Sequence, residues 1–411
     1  MIVVVGAGAA GLVAAIFARA GGTPVTLLER TSDGGRKILI SGGGRCNILP
    51  SSLHPEQFVT DSPPHLMRGL LRSWPLSEQR RFFEEEVGIP LALEAESGKL
   101  FPRSDRARDV RDGLMSLAVA RGVNCQGDTT VTGLDSLHEG SDDAARWRLT
   151  TSRGEVDASS VILATGGLSV PATGSDGAGL RWAEQFGHAM HPLYPALTPL
   201  MGTMPGRADL AGISMSVRIR AKADGKTRES EGGFLFTHRG YSGPSVLDVS
   251  HMATRETQEP AVIRVTWTKR TEAEWLKDIT TTTGRVAGIV ARHLPERLAE
   301  ALCADAGLPV DRRGPELRRD ERIALIDRLT SYALPWTGDE GYKKAEVTGG
   351  GVALTDVDAR TLESKRHPRL FMCGEMLDAF GPIGGYNFAW AWATGRAAGL
   401  GAAGTSVLKK I

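Results

Sequence analysis

The chain has 411 residues, enough for two or three domains with a sizeable core. Hydrophobic residues make up 41% and charged ones 24%, which excludes wholesale disorder. The 49 basic and 48 acidic residues leave a net charge of +1, so nothing global favours a nucleic-acid partner, and none is expected.

Ile2–Val5 is a β-branched run of the kind found in buried parallel strands. Gly6-Ala7-Gly8-Ala9-Ala10-Gly11 follows it, and Leu12, Val13, Ile16 and Phe17 continue a helical apolar face that stops at Gly21-Gly22. A second strand, Val25–Leu28, ends at Glu29 and Arg30. This is the dinucleotide fingerprint in full strand–helix–strand context. Gly6 permits the tight turn, Gly8 lets backbone approach a diphosphate, and Gly11 lets the helix pack on the sheet; Ala9 and Ala10 supply amides at the helix start. Glu29 can accept bonds from ribose hydroxyls, which disfavours a 2′-phosphate there. The uncharged stretch from residue 2 to residue 18 could be mistaken for a signal peptide or a span. It lacks a basic leader, is short and carries three glycines, so a cytoplasmic protein without a membrane partner is expected.

Gly34-Gly35-Arg36-Lys37 leads into Ser41-Gly42-Gly43-Gly44-Arg45-Cys46-Asn47. Two glycine-rich loops directly after the second strand suit a long cofactor whose diphosphate and ring system are followed by backbone, so the expectation is FAD rather than NAD. Cys46 is one of four scattered cysteines, with Cys125, Cys303 and Cys373, and no Cys-x-x-Cys occurs. It reads as a packing thiol, and neither a disulfide framework nor a metal site is expected.

At these residues the chain resembles the BaiN-type (YhiN-like) flavoproteins, also described as the aminoacetone oxidase family of FAD-binding enzymes. The run at residues 35–47 carries the likeness most specifically, and it continues through Gly98–Asp105, Leu163–Ser169, Pro192–Pro195, Phe236–His238 with Ser242–Pro244, Ala345–Thr348, Gly374-Glu375 and Gly384–Phe388. The resemblance implies an α/β fold: an FAD-binding Rossmann-like domain of the two-dinucleotide-binding type, built from both chain ends, with an inserted β-rich and helical region. It also implies enone reduction at the expense of a nicotinamide, or oxygen-dependent oxidation of a small aminoketone.

Further along, helical patterns run around Leu66, Leu70 and Trp74, then Phe82, Phe83 and Val87, and again from Asp105 through Val110 and Leu114. A strand near Val131 is expected to bring backbone to the adenine. Val161–Ala164 reads as a buried strand running into Thr165-Gly166-Gly167, a second cofactor loop. His188 and His191 read as helix-end residues. Short alternations from Ser214 to Ile219 and from Val262 to Trp267 predict a β-rich insert, and repeats at Leu294, Leu298, Leu302 and at Ile323, Ile326, Leu329 predict helices. The interleaved charges at residues 312–320 read as a solvated helix face. Expected boundaries are 1–192 and 341–411 for the FAD domain, 193–270 for the β-rich insert and 271–340 for the helical insert.

Leu370–Cys373 is a strand delivering Gly374 and Glu375, with Asp378 next; either acid qualifies to meet the ribitol. Gly384-Gly385-Tyr386-Asn387-Phe388 opens a helix whose N-terminus is expected at the flavin's pyrimidine edge. Arg45, Asn47, Glu346 and Tyr386 are the candidate catalytic groups, and Trp390 and Trp392 read as core. The best reading is an FAD-dependent oxidoreductase acting on a small molecule. NADH or NADPH is a candidate transient hydride donor, entering the substrate cleft because no second nucleotide fingerprint exists. A flavin-binding accessory protein of RNA modification and an NAD-dependent dehydrogenase are the alternatives, and oligomeric state is not legible.

Overall fold

The computed structural model describes residues 1–137, 146–204 and 210–404. The chain forms two compact units: Met1–Tyr194 with Val347–Ile411, and Pro195–Glu346.

The first unit begins as its pattern requires. β1 (Ile2–Val5) runs into α1 (Ala9–Ala18) and β2 (Val25–Leu28), and every residue of both strands is buried. Charge-free strands are stable only when covered on both faces, and each buried branched side chain contributes about 1.5–3 kcal/mol. Next come α2 (Arg36–Ile40), β3 (Leu49–Pro50), α3 (Pro64–Arg72) and α4 (Leu76–Arg81). Pro75 separates α3 from α4, and a π-turn at Phe82–Glu86 ends α4, so the apolar run is two short helices. β4 (Leu91–Glu94) and β5 (Lys99–Pro102) join β3 in a small antiparallel sheet of order β3-β5-β4. α5 (Ala107–Ala120) and β6 (Asn124–Gln126) follow. β7 (Val131–Ser136), β8 (Trp147–Thr151) and β9 (Gly154–Ala158) form the expected meander. β10 (Ser160–Leu163), α6 (Ala178–Gln185) and β11 (Met190–Ala196) complete the first pass.

The second unit holds β12 (Leu200–Met201), β13 (Ser214–Ala223), β14 (Lys226–Phe236), β15 (Gly240–Ser242), α7 (Pro244–Thr254) and β16 (Val262–Thr266). The helices α8 (Glu272–Thr281), α9 (Val286–Val290), α10 (Glu296–Asp305) and α11 (Arg319–Thr330) follow, then β17 (Tyr332–Ala333) and β18 (Gly338–Asp339). Its seven strands lie in one sheet, β17-β16-β13-β14-β15-β12-β18. Strand and helix residues share one core: Trp267, Phe234 and Val265 pack in the same cluster as Trp275, Leu298 and Leu325.

The chain then returns to the first unit. β19 (Val347–Val352) pairs with β11, β20 (Leu370–Met372) joins the main sheet, and α12 (Tyr386–Ala402) ends the described fold. The main sheet is parallel, in the order β20-β10-β1-β2-β6. One edge strand therefore comes from the far end of the sequence. α12 lies against α1 at backbone distance, because a Cβ at Gly395 or Gly399 would strike the carbonyl oxygens of Ala10 or Ala14. The loops after β1 and β10, at the carboxyl ends of neighbouring strands, meet at Gly6, where a Cβ would lie 2.6 Å from the Ala164 carbonyl oxygen. In open parallel sheets this is where ligands bind.

Candidate functional site: a dinucleotide cradle

The three fingerprint glycines divide by what surrounds them. Gly6 and Gly11 are closed by protein, since a Cβ at Gly11 would collide with the Gly6 carbonyl oxygen. A Cβ at Gly8 would meet nothing within 4 Å. Gly8 is also the N-cap of α1, without a side-chain cap and without an acid in the first turn. The first internal helical bond runs from the Leu12 N–H to the Gly8 carbonyl, at 3.0 Å, so the amides of Ala9, Ala10 and Gly11 precede it. Uncapped amides, the partial positive charge of the helix start and open space beside a glycine fit a diphosphate.

Glu29 anchors this loop. Its Oε2 accepts the Ala7 N–H at 2.8 Å, and its Oε1 accepts the Thr31 N–H at 2.9 Å and the Thr31 hydroxyl at 2.7 Å. A carboxylate has about four acceptor positions, so room for one ribose hydroxyl remains. Arg30 reaches away, to Asp176 at 2.6 Å and to the Gly174 carbonyl at 3.1 Å. Gly35 donates to the Ala7 carbonyl at 2.8 Å, which brings the second loop onto the first. Arg36 bonds Asp33 at 3.1 Å.

Lys37 and Glu375 are joined, at 2.6 Å, although 338 residues separate them. Ser169 receives a bond from Lys37 at 2.6 Å and donates to Glu375 at 2.5 Å, and the Thr348 N–H donates to the same carboxylate at 2.9 Å. Thr348 Oγ1 in turn accepts from the Leu168 and Ser169 N–H groups, at 2.7 and 3.2 Å. This network holds the loop after β10, where Gly166 and Thr165 lie. Thr165 Oγ1 is buried against Gly179 and has no hydrogen-bond partner among the described residues. Val131 is buried at the start of β7.

Asp378 is almost fully buried and faces the turn at residues 60–62. Its Oδ2 accepts from the Thr60 hydroxyl at 2.9 Å, the Asp61 N–H at 2.9 Å, and the Ser62 N–H and hydroxyl at 2.8 Å each; His191 lies 3.5 Å away. Burial pushes its carboxyl up, against the opposing pull of Ser62 and His191. Both candidate ribitol acids are thus engaged by protein, and Glu375, part exposed, is the more open of the two.

The loop at Ser41–Asn47 is built differently. Gly42, Gly43 and Gly44 have φ of +55, +67 and +87°, and a Cβ at Gly43 would meet nothing within 4 Å. Side chains could not follow that path, and the exposed backbone presents an open face. Asn47 is part exposed and makes no side-chain hydrogen bond with a described residue. Cys46 is fully buried, with its thiol pushed up to about 12 by desolvation, so it is no thiolate at neutral pH. Arg45 lies over the Phe101 ring at 4.0 Å and bonds Glu94 at 3.1 Å, with Asp105 at 3.6 Å.

At the chain's return, a Cβ on Gly374 would lie 2.8 Å from the Ala10 side chain. Gly385 caps α12 against the Leu49–Pro50 backbone, and Gly384 lies under Lys99. Tyr386 is buried beside Phe58, with ring centres 5.7 Å apart. The Asn387 side chain pins the preceding loop, exchanging bonds with Gly381 at 2.9 and 3.0 Å. Phe388 stacks on Trp392. Glu346 belongs to the second unit, where its N–H donates to the Leu197 carbonyl at 3.2 Å.

Sequence reasoning missed Arg111. It sits on α5 between apolar positions, is 8% exposed, and donates to the Asp33 carbonyl at 2.9 Å and the Gly34 carbonyl at 3.4 Å. It thereby fixes the turn before Gly35, whose Cβ would lie 2.5 Å from its stem. An arginine flanked by Val110 and Leu114 was the only available signal. The Thr60–Ser62 turn left no signal, and Thr348 appeared only within the Ala345–Thr348 stretch that carries the resemblance. Among the described residues no group of three or more His, Cys, Asp or Glu could hold a metal ion, and no helix is long and apolar enough to cross a membrane. The open space at Gly8 and Gly43, the uncapped start of α1 and the free Asn47 amide all fit FAD.

Comparison with known proteins agrees. The family model described as HI0933-like protein Rossmann domain matches residues 1–401. A ribosomal RNA dihydrouridine synthase of Escherichia coli is 31% identical over 95% of both chains. A 3-dehydro-bile acid delta(4,6)-reductase of Clostridium scindens is 30% identical over 97% of this chain and 98% of its own. Among solved structures, a 3-ketosteroid delta1-dehydrogenase from Sterolibacterium denitrificans covers 98% of this chain and 99% of its own with a TM-score of 0.50; at 12% identity this likeness concerns the fold alone.

Proposed function

The chain belongs to the HI0933-like Rossmann-domain family of FAD-dependent oxidoreductases, and from that premise we propose that it reduces a carbon–carbon double bond conjugated to a carbonyl. One observation carries this reading. Two relatives of about equal identity bear names with unrelated substrates but the same bond change. Forming dihydrouridine saturates a ring double bond conjugated to a carbonyl, and a delta(4,6)-reductase acting on a 3-oxo steroid saturates double bonds conjugated to its ketone. In each case a hydride adds at the carbon β to the carbonyl or at its vinylogue, and a proton completes the saturated carbon. The substrates share an electrophilic alkene and little else.

FAD, when bound, would supply hydride chemistry at its N5, with NADH or NADPH the proposed donor. This chain's residues bind and orient. The amides of Ala9, Ala10 and Gly11 and the open side of Gly8 hold the diphosphate, and Glu29 holds the ribose. Lys37, Ser169 and Glu375 fix the loop beside the ribitol. Gly43, Gly44 and Asn47 would lie along the ring, and the Asn47 amide could donate a hydrogen bond to it or to a substrate carbonyl. Tyr386 is the proposed proton source, with Phe58 beside it shielding the site from water.

The sequence's balanced charge argued against a nucleic-acid partner, whereas the name of the E. coli relative argues for one, so the test has two arms. The purified yellow protein is reduced anaerobically with NADPH or NADH and offered either ribosomal RNA lacking dihydrouridine or a 3-oxo-4,6-diene steroid. Gain of two hydrogens by a uridine, or loss of the dienone absorbance, supports the reading. Reduced protein that reacts with neither substrate and turns over only with oxygen and an aminoketone would overturn it in favour of an oxidase.

A further inference from the structure

Lys99 opens β5, in register with Pro50 on one side and Glu94 on the other. A lysine and a glutamate facing each other across strands ordinarily pair. Here they do not. One Glu94 oxygen receives Arg45 at 3.1 Å and the other receives the Ser97 hydroxyl. Arg45 is itself held in place by the Phe101 ring and Asp105. The Lys99 ammonium makes no hydrogen bond or close ion pair with any described residue, although its charge still acts on the Glu94 carboxylate.

The stem of Lys99 is laid across Gly384. A Cβ placed there would lie 3.2 Å from its Cε, 3.8 Å from Cγ and 3.9 Å from Cδ. Gly385 then begins α12, which has no side-chain cap and no acid in its first turn, while the Asn387 amide is turned to Gly381 and Pro382. An ammonium not paired directly with Glu94 therefore converges with an uncapped helix start at Gly384 and Gly385. Two positive features side by side match a group that becomes negative.

We propose that Lys99 stabilises the negative charge that the flavin's pyrimidine edge takes up on reduction, and that Arg45 is a positioning residue which keeps Lys99 available by holding Glu94. The assignment rests on the FAD reading above. It gives Arg45 an indirect task in place of direct contact with substrate.

The test is sulfite, whose addition at flavin N5 places negative charge on the same edge and bleaches the oxidised spectrum. Wild type, Lys99→Met, Lys99→Arg, Arg45→Met and Arg45→Met/Glu94→Gln holoproteins are titrated with sulfite, and their apoproteins with FAD. Lys99→Met weakens sulfite binding about tenfold, the order expected when one partly solvated charge is removed, and changes FAD affinity about threefold or less. Lys99→Arg stays near wild type. Arg45→Met lets Glu94 reach Lys99 and weakens sulfite several-fold, and adding Glu94→Gln restores it. Unchanged sulfite affinity in Lys99→Met overturns the proposal, and so does an Arg45→Met defect that Glu94→Gln does not relieve. Loss of FAD binding in Lys99→Met but not in Lys99→Arg also overturns it, since Lys99 would then hold the cofactor and not tune it. A wild type that takes up no FAD overturns both this inference and the function it rests on; the other failures leave that function standing.

Discussion

Gly8→Ala and Gly11→Ala are the same chemical change three residues apart, and the structure assigns them opposite consequences. Gly8 has φ −76° and ψ −173°, which alanine adopts freely, and its added methyl meets no protein atom within 4 Å. The apoprotein should keep its stability within about 1 kcal/mol, with a slight gain expected from a stiffer unfolded chain. The methyl instead occupies the space assigned to the diphosphate. Losing one charge-assisted bond to the amides of α1 costs about 1.5–3 kcal/mol, or roughly a tenfold to hundredfold weaker FAD affinity. At Gly11 the methyl is driven into the Gly6 carbonyl, and Gly6 cannot retreat because it already lies against Ala164. The expected cost to the fold is about 3 kcal/mol or more. Denaturant titration of the apoproteins and FAD titration of the refolded chains separate the two effects. If Gly8→Ala loses stability as Gly11→Ala does, or binds FAD like wild type, the division into structural and cofactor glycines is refuted.

Three further outcomes follow from the site. Arg111→Met releases the turn at Asp33–Gly35 and should weaken FAD binding about tenfold or more while the chain still folds; wild-type affinity in a titration would show that the turn needs no clamp. A thiol reagent at pH 8 should label native protein slowly and at Cys125 alone, because Cys46, Cys303 and Cys373 are buried with their thiols pushed up, whereas all four cysteines react in denaturant; rapid native labelling of Cys46, located by peptide mass, would restore it as a redox candidate. Burial alone would raise the Asp356 carboxyl, but the Arg366 side chain at 2.7 Å and the Ala189 N–H at 2.8 Å outweigh it and hold it below the usual range. A depressed carboxyl contributes stability above its unfolded value, near 3.9, that is lost as pH falls through the folded one. Asp356→Asn should therefore be less stable by of order 1 kcal/mol at pH 6, with the gap closing below about pH 4; a gap constant from pH 6 to 3 would count against the pairing.

The parts of the fold that could be read in the sequence are those whose reasons are local. β1, the glycine turn and α1 are specified within seventeen residues, and β20 with Gly374 carries its own strand-and-turn pattern. The β-rich and helical stretches of the insert were equally legible, but not that Trp267 and Trp275 would share one core, because periodicity says which face is buried and not against what. Strands of two residues, such as β17 and β18, exist only through partners far away in sequence. The site shows the same limit. Lys37 and Glu375 each read as a cofactor contact, and nothing in either neighbourhood reveals that they also pair across 338 residues. Asp378 could not be ranked against Glu375 because its acceptors are filled by a turn, Thr60–Ser62, that has no motif. Buried charge is legible only once its counter-charge is known.

The sheet order β20-β10-β1-β2-β6 also has a consequence in time. A ribosome delivers β1, β2, β6 and β10 first, then the whole of Pro195–Glu346, and only afterwards the edge strand and the helix that packs on α1. At about 5–20 residues per second, the nascent apolar strands wait roughly ten to fifty seconds for the pieces that cover them. During that interval the second unit, whose strands and helices are contiguous in sequence, can already be complete. The first unit therefore closes only after the last of its strands is made, and a circular permutant joining its two halves should mature faster than the natural chain.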